Sequence, residues 1–249
     1  MAVQSTDAII LQVFKYGDTS KILRLLTRTA GVQSVIAKGA ANPKSKYGGI
    51  LEPFTEGTAS YYAKDNRDLH TLGSFELKRS RQALGADLVR FGGASLIAEL
   101  IMRSGIEEPD AHLYDVVAEA LDRIAQAGRA ATESVVLGEA WALIAQLGFA
   151  PALDTCITCG RDIGDDEEAN FDYVAGGVRC ADCSAGMPGK LLPAHARTAL
   201  MRLIRGEHIV LERTPAHWRL LSRFLTHHVV DGASLKSLTF LEASLREPE

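Results

Sequence analysis

The sequence predicts an α+β protein with more than one domain, in which an N-terminal five-stranded OB-fold barrel precedes an α-helical bundle domain that carries an inserted four-cysteine ribbon. Three observations predict this class. Short runs of branched and aromatic residues alternate with turn residues up to residue 81, helical periodicity follows, and two Cys-x-x-Cys pairs interrupt the helical part. We predict domains at residues 1–81 and 82–249, with the insert at 151–192.

Five β-strands account for the first domain. Turn clusters such as KYGD, TAG and DNRD separate the segments DAIILQVF, SKILRLLTR, VQSVIAK, ILEPFTEGTASYYAK and LHTLGSFEL. Five strands in so short a segment, with no helical period between the first three, are typical of a small barrel. An SH3-like barrel has a similar strand count, so the periodicity leaves that alternative open.

The two parts of the chain differ in charge. Residues 1–81 hold 12 Lys and Arg against 7 Asp and Glu, whereas the remainder holds 15 against 24. A basic N-terminal part indicates a polyanionic partner, and OB-folds commonly bind single-stranded nucleic acid in basic grooves with aromatic platforms. A merely solvated basic surface is the alternative interpretation.

The predicted nucleic-acid contacts surround the Gly-rich loop AKGAANPKSKYGG and extend along the strands. They are Lys38, Lys44, Lys46 and Tyr47 in and beside the loop, with Arg24, Arg67, Arg79 and Arg81 outside it. Tyr61 and Tyr62 are neighbours in a strand, so one of them should face the core.

After Arg81 the spacing of apolar residues becomes helical. The predicted helices are ADLVRFGGASLIAELIMRS, LYDVVAEALDRIAQ, ESVVLGEAWALIAQLG, PAHARTALMRLIRG, TPAHWRLLSRFLTHHVV and SLKSLTFLEA. We assign their apolar stripes to the core. The segment from Pro151 to Leu192 has few helix signals and separates the third helix from the fourth.

All four cysteines lie in that segment, at Cys156, Cys159, Cys180 and Cys183. Two Cys-x-x-Cys pairs at about this separation are typical of a tetrahedral zinc site, because each turn offers two thiolates and a hairpin brings the turns together. Four thiolates close the coordination shell. We therefore predict one structural Zn²⁺ ion in a zinc ribbon, and not a catalytic metal.

Three alternatives would use the same cysteines. A thioredoxin-like redox pair needs a Cys-x-x-Cys at the start of a helix, and neither pair is followed by helical periodicity. Disulfides are disfavoured because the N-terminal residues lack a secretory signal pattern, which indicates a reducing compartment. An iron–sulfur cluster has the same ligands, but the ribbon spacing favours zinc.

The sequence contains no G-x-x-x-x-G-K-[ST], G-x-G-x-x-G or G-x-S-x-G motif, and its seven histidines are scattered. No apolar run approaches the ~20 residues of a membrane span. We therefore predict a non-enzymatic, cytoplasmic, nucleoid-associated protein with no membrane partner.

From end to end, the chain resembles the RecO family of bacterial recombination mediators. The resemblance rests on DAIIL, YGDTSKILRLLTR, AKGA and LEPF in the first part, and on ASLIAEL, LGFAPALDTCITCG and GGVRCADC in the second. It implies an N-terminal OB-fold, a helical C-terminal domain with a zinc module, and a role in DNA repair and recombination through the RecF pathway. It also implies binding to single- and double-stranded DNA, strand annealing, interaction with RecR and single-strand-binding protein, and assistance in RecA loading.

A DNA-binding mediator without sequence specificity is therefore the leading hypothesis. Its rival is a protein-interaction module whose helical domain docks partners while the barrel is a scaffold, and a metal-dependent enzyme is the third possibility. The individual DNA contacts rest on charge alone, because the family has no sharply defined motif for them. Arg197, Arg202 and Arg205 form the alternative DNA-binding set.

Overall fold

The computed structural model describes residues 3–63, 68–104, 108–211, 214–229 and 234–245. The chain divides into two compact units. Unit 1 consists of Met1–Asp87 and Ile97–Gln126, and unit 2 consists of Leu88–Leu96 and Ala127–Glu249.

Unit 1 is built on a closed five-stranded barrel. Its strands are β1 (Val3–Tyr16), β2 (Ser20–Thr27), β3 (Gly31–Ala37), β4 (Glu56–Tyr62) and β5 (Leu69–Arg79). They follow the order β1-β2-β3-β5-β4, with β4 returning to β1. The β3–β5 pair is parallel and the others are antiparallel. This five-stranded Greek-key barrel confirms the predicted OB-fold over the SH3-like alternative.

Strand β1 closes the barrel because it is long enough to pair with two neighbours. Its first half pairs with β4 and its second half pairs with β2, with an irregularity between Ile10 and Gln12. Inward-facing side chains from every strand form the core, including Ile10, Leu25, Val35 and Tyr61. Tyr61 is therefore the core member of its tyrosine pair, whereas Tyr62 is 44% exposed.

The described residues contain seven α-helices: α1 (Leu88–Arg103), α2 (Ala111–Gln126), α3 (Thr132–Gln146), α4 (Ala181–Ser184), α5 (Ala194–Ile204), α6 (Thr214–His228) and α7 (Lys236–Ser244). The six predicted helices are confirmed. The single turn α4 was not predicted, because four residues are too few to show helical periodicity. Helix α2 belongs to the same unit as the barrel.

Aromatic and small residues pack the helices of unit 2. Trp141 of α3 lies against Phe224 of α6, with ring centroids 5.2 Å apart. Gly93 of α1 lies so close to α3 that a Cβ atom there would be 2.4 Å from Val136 Cγ2. None of the helices in the described ranges is long and apolar enough to cross a membrane.

The cysteine segment of unit 2 contains a small antiparallel sheet. Its strands β6 (Ala169–Asp172), β7 (Gly177–Arg179) and β8 (Lys190–Leu192) follow the order β7-β6-β8. The predicted hairpin between the two cysteine pairs is the β6–β7 pair, in which Phe171 lies opposite Val178.

Candidate metal centre and nucleic-acid surface

The four cysteine Sγ atoms form one cluster in which all of them lie within 4.8 Å of one another. The Sγ atoms of Cys159 and Cys180 are 3.9 Å apart. Tetrahedral coordination with Zn–S bonds of ~2.3 Å would place sulfur atoms about 3.8 Å apart. The donor set and its spacing therefore fit a single metal ion, which Cys156, Cys159, Cys180 and Cys183 would hold.

Backbone hydrogen bonds shape the first cysteine turn. The N–H of Cys156 donates to the carbonyl of Arg161 at 2.8 Å, and the N–H of Gly160 donates to the carbonyl of Cys156 at 2.9 Å. Gly160 has a φ of 72°, in the left-handed region that favours glycine. The glycine after the second cysteine thus lets the chain turn back with both thiols on one side.

The second cysteine pair follows strand β7 and lies against the first. Cys183 is in α4, and its N–H donates to the carbonyl of Cys180 at 3.1 Å. The backbone N–H of Cys180 donates to Cys156 Sγ, with 3.4 Å between the nitrogen and the sulfur. The β6–β7 hairpin therefore delivers the second pair to the first.

The local environment favours a thiolate at Cys156. Burial raises the pKa of this thiol, but the backbone N–H groups of Cys180, Cys159 and Thr158 outweigh burial and lower the pKa to about 6. The pKa of Cys180 is also lowered, chiefly by the backbone N–H of Cys183. Metal binding requires deprotonated thiols, so the shifts at Cys156 and Cys180 assist it, whereas the hydrogen bond with Cys180 raises the pKa of Cys183 and opposes it. Four sulfur ligands leave no open position, which is typical of a structural site.

Two of the predicted nucleic-acid contacts are buried in unit 1. The Arg81 side chain is 2% exposed and pairs with Glu56 at 2.7 Å and Asp122 at 2.6 Å. It also donates to the carbonyl of Phe54 at 3.0 Å. Tyr47 is 4% exposed and its ring belongs to the barrel core. Neither side chain offers a surface to a nucleic acid, so both are removed from the candidate interface.

The remaining basic residues have different surroundings. Arg24, Lys38, Lys44 and Lys46 are exposed. Arg79 is exposed as well but forms an ion pair with Asp122. Arg67 lies outside the described residues.

The sequence interpretation missed a row of mostly apolar side chains on the barrel exterior. The register pairs Phe14 with Ile22, Ile22 with Ile36, Ile36 with Thr71, Thr71 with Tyr62, and Tyr62 with Val3. Paired residues lie on the same side of a sheet, so in this closed barrel the row runs around the outside. Phe14 is 44% exposed and Val3 63% exposed. We call these six residues, Val3, Phe14, Ile22, Ile36, Tyr62 and Thr71, the exterior row.

Basic side chains flank the exterior row. Arg24 is two residues from Ile22 within β2, so it is placed on the same side of the sheet, and the exposed Lys38 follows directly after the end of β3. Lys46 Nζ donates to the carbonyl of Gly73 at 2.6 Å. Gly73 lies beside the Tyr62 ring, because a Cβ atom at residue 73 would be 3.2 Å from Tyr62 Cε2.

The irregularity in β1 explains why the exterior row was missed. Strict alternation from the core residue Ile10 would place Phe14 inside the barrel. The shift between Ile10 and Gln12 reverses the phase, so that Val13 packs against the core and both Phe14 and Tyr16 are exposed.

Comparisons with known proteins agree with this architecture. A family model for the N-terminal part of recombination protein O matches residues 1–81, and one for its C-terminal part matches residues 85–238. The chain is 32% identical to DNA repair protein RecO of Anaeromyxobacter sp. (strain K) over 245 residues, which cover 94% of each chain. Identity to the RecO of Chlorobaculum parvum is 36% over 172 residues, or 68% of this chain and 66% of the relative. For Nocardioides sp. it is 29% over 245 residues, covering 95% and 98%.

An N-terminal OB-fold, a helical region and a cluster of four cysteines, together with these matches, define a DNA repair protein. The chain belongs to the RecO family.

Proposed function

We propose that this protein is a recombination mediator of the RecF pathway that binds single- and double-stranded DNA without sequence specificity and promotes annealing of complementary strands. The observation that carries the proposal is the exterior of the barrel, where the aromatic residues Phe14 and Tyr62 and the basic residues Arg24 and Lys46 are exposed. Membership of a DNA repair family supports the same role.

In this proposal the phosphates and the bases are bound by different side chains. Arg24, Lys38, Lys44 and Lys46 bind phosphates, which position a strand but carry no sequence information. Phe14, Tyr16 and Tyr62 offer rings on which any base can stack. Arg79 remains a proposed contact that must exchange Asp122 for a phosphate, and Arg67 remains a proposed contact on charge alone.

Annealing follows from the same electrostatics. A protein that neutralises phosphates on two strands lowers the repulsion between them, while base pairing selects the match. The protein needs no catalytic residue for this role, so we propose a non-enzymatic function. The family resemblance supports RecR and single-strand-binding protein as direct partners, with RecA loading as the outcome.

We also propose that the four thiolates hold one Zn²⁺ ion. The tetrahedral spacing of the sulfur atoms and the closed ligand set support a structural zinc site. When bound, the ion joins the two cysteine turns and stabilises the fold of the segment. Metal analysis of the purified protein should give one zinc per chain, and the visible absorbance of an iron–sulfur cluster would contradict the assignment.

The salt dependence of binding tests the DNA surface. The variant Lys38→Glu/Lys44→Glu/Lys46→Glu should bind a mixed-sequence single strand more weakly than the wild type. Each lost phosphate contact lowers the slope of log affinity against log salt by about 0.7, so the slope should fall by about 2. The circular dichroism spectrum should not change, because all three side chains are exposed.

A variant with the same change in net charge provides the control. Lys190→Glu/Arg202→Glu/Arg205→Glu alters three exposed residues of unit 2 and should retain the wild-type slope. If only this control loses affinity, the DNA surface lies in the helical part. If neither variant changes the slope, the barrel is a scaffold, and the protein-interaction module becomes the better account.

A further inference from the structure

Arg197 of α5 is completely buried in unit 2, with 0% of its surface exposed. Its Nε atom has no hydrogen-bond partner within the described part of the chain. A buried guanidinium destabilises a protein unless its N–H groups find acceptors. The acceptors that Arg197 does have therefore indicate what this residue contributes.

Both terminal nitrogens of Arg197 donate to backbone carbonyls at the ends of the first cysteine turn. Nη1 donates to the carbonyl of Leu153 at 2.9 Å, and Nη2 donates to the carbonyl of Gly164. Leu153 precedes the turn and Gly164 follows it, with Cys156 and Cys159 between them. One side chain thus bridges the segment that enters the turn and the segment that leaves it.

Between these two ends the backbone pairing is short. The N–H of Ile163 donates to the carbonyl of Asp154 at 2.8 Å, and Thr155 and Asp162 form an isolated antiparallel bridge. A two-stranded hairpin is marginally stable at best in water. The open end of the turn therefore needs a partner that holds its two segments at a fixed separation.

We infer that Arg197 is a positioning residue for the metal centre, clamping the Leu153 and Gly164 carbonyls so that Cys156 and Cys159 stay at metal-binding distance. The inference rests on the proposed metal site and is independent of the DNA surface. Arginine suits this role because its planar fork presents donors in a fixed geometry, whereas lysine is a point charge on a flexible stem. Complete burial also removes Arg197 from the alternative DNA-binding set.

The test compares the Zn²⁺ affinity of full-length Arg197→Met with that of the wild type, by competition against a chromophoric chelator. Losing a residue that orients metal ligands typically lowers affinity 10–100-fold, so we expect a loss of about that size. Co²⁺ substituted for Zn²⁺ should show altered thiolate charge-transfer bands in the same variant. Arg202→Met is the matched control, since Arg202 is exposed on the same helix and pairs with Glu207. It should bind both ions like the wild type.

Arg197→Lys keeps the positive charge but removes the planar guanidinium, so it tests whether the charge alone is enough. It also replaces Arg197→Met in the test if Arg197→Met does not fold. We expect Arg197→Lys to fold, as judged by its helical circular dichroism, and still to lose most of the affinity. Wild-type affinity in either folded variant would overturn the clamp, as would failure of both variants to fold in excess Zn²⁺. If the wild type itself binds no metal through its thiolates, the proposed metal site fails too, whereas a metal-binding wild type with unaffected variants removes only the clamp.

Discussion

The barrel and the cysteine ribbon are stabilised by different interactions. The barrel strands run from 7 to 14 residues and close on one another, and every strand contributes buried side chains such as Leu25 and Val35. The ribbon strands have 4, 3 and 3 residues. Phe171 and Val178 are completely buried there, but so short a sheet supplies little apolar surface.

Polar interactions add to the small apolar core of the ribbon. Asp172 and Arg179 form an ion pair whose side chains are 8% and 10% exposed. Asp172 Oδ1 also accepts the N–H groups of Val174 at 2.8 Å and Ala175 at 3.0 Å. Small segments without a sufficient core commonly depend on a metal. The barrel should therefore respond mainly to changes in packing, and the ribbon to changes in its ligands.

Metal removal should produce the largest effect and should be confined to the ribbon. Structural zinc contributes about 10–16 kcal/mol in small zinc modules, and most of that is folding free energy. With a chelator, the backbone amides of Phe171 and Val178 should lose protection from hydrogen exchange. Those of Leu25 and Val35 should keep it. Equal protection of the ribbon amides with and without metal would show that the ribbon folds on its own core.

The converse change is Leu25→Ala in the barrel. Leu25 is completely buried, and removing such a side chain costs about 2–5 kcal/mol. The loss in free energy of unfolding should be the same with and without the chelator. Leu77→Ala is the control, because Leu77 is 47% exposed and should cost much less.

Arg81→Met should destabilise unit 1 without acting on DNA directly. Removing one partner of a fully buried ion pair costs about 3–5 kcal/mol. The loss here should lie at or below the lower end of that range, because Asp122 keeps its ion pair with Arg79 and Glu56 is partly exposed. Denaturant unfolding should show this loss, and Glu56 and Asp122 are the groups left without Arg81. Arg24→Met is the control: it should change stability by less than ~0.5 kcal/mol while weakening DNA binding. The opposite pattern would return Arg81 to the DNA surface.

The cysteines and the arginines Arg24 and Arg81 show what the sequence could and could not predict. Cys156 and Cys159 are recognisable as metal ligands because the pattern that identifies them lies within one turn. The environment of Arg81 depends on Asp122, which is distant in sequence and belongs to a helix that packs in the same unit as the barrel. The basic character of a residue does not show whether its side chain is buried or exposed. The count of charges therefore placed Arg24 and Arg81 in the same candidate interface.

The aromatic residues of the barrel follow the same logic. Tyr47 stands in the basic loop and looked like a stacking platform, yet it lies in the core. Strict alternation from Ile10 would place Phe14 in the core, and Tyr16 stands in the predicted turn KYGD, yet β1 continues to Tyr16 and its irregularity leaves both rings exposed. A single extra residue reverses every later side chain in a strand, and local sequence carries no strong signal for it.

Single-strand binding provides a sharper test of the barrel exterior. Stacking of one base on an aromatic side chain contributes about 1–3 kcal/mol, so Phe14→Ala and Tyr62→Ala should each weaken single-strand affinity by about that amount. Duplex affinity should change less, because paired bases are not free to stack on protein. Tyr47→Phe removes only a buried hydroxyl 3.4 Å from the carbonyl of Leu72 and should bind like the wild type. If single-strand and duplex affinity fall equally, the aromatic residues of the exterior row do not stack on bases.

The smallest effect concerns the acid stability of the barrel. The hydrogen bond from Lys78 Nζ, 2.5 Å from Asp7 Oδ1, lowers the pKa of Asp7 below its usual value, and the partial burial that opposes it is the weaker influence. The folded state therefore keeps this carboxyl ionised at pH values where the unfolded chain binds a proton. Its contribution is fully present above the unfolded pKa of ~3.9 and is lost as pH falls through the lower folded pKa.

The size of that contribution is limited by exposure. The side chains of Lys78 and Asp7 are 49% and 33% exposed, so solvent screening leaves about 0.2–1 kcal/mol. Asp7→Asn should lower the free energy of barrel unfolding by this amount at pH 7 and by less at pH 3, with the difference shrinking in high salt. Asp18→Asn, at an exposed turn, is the control with the same change in charge and should leave the free energy of barrel unfolding at pH 7 unchanged. The ribbon should fail at a higher pH than the barrel, because protons compete with the metal for thiolates before they reach Asp7. Simultaneous loss of both in one acid transition would mean that the two segments do not differ as their contacts indicate.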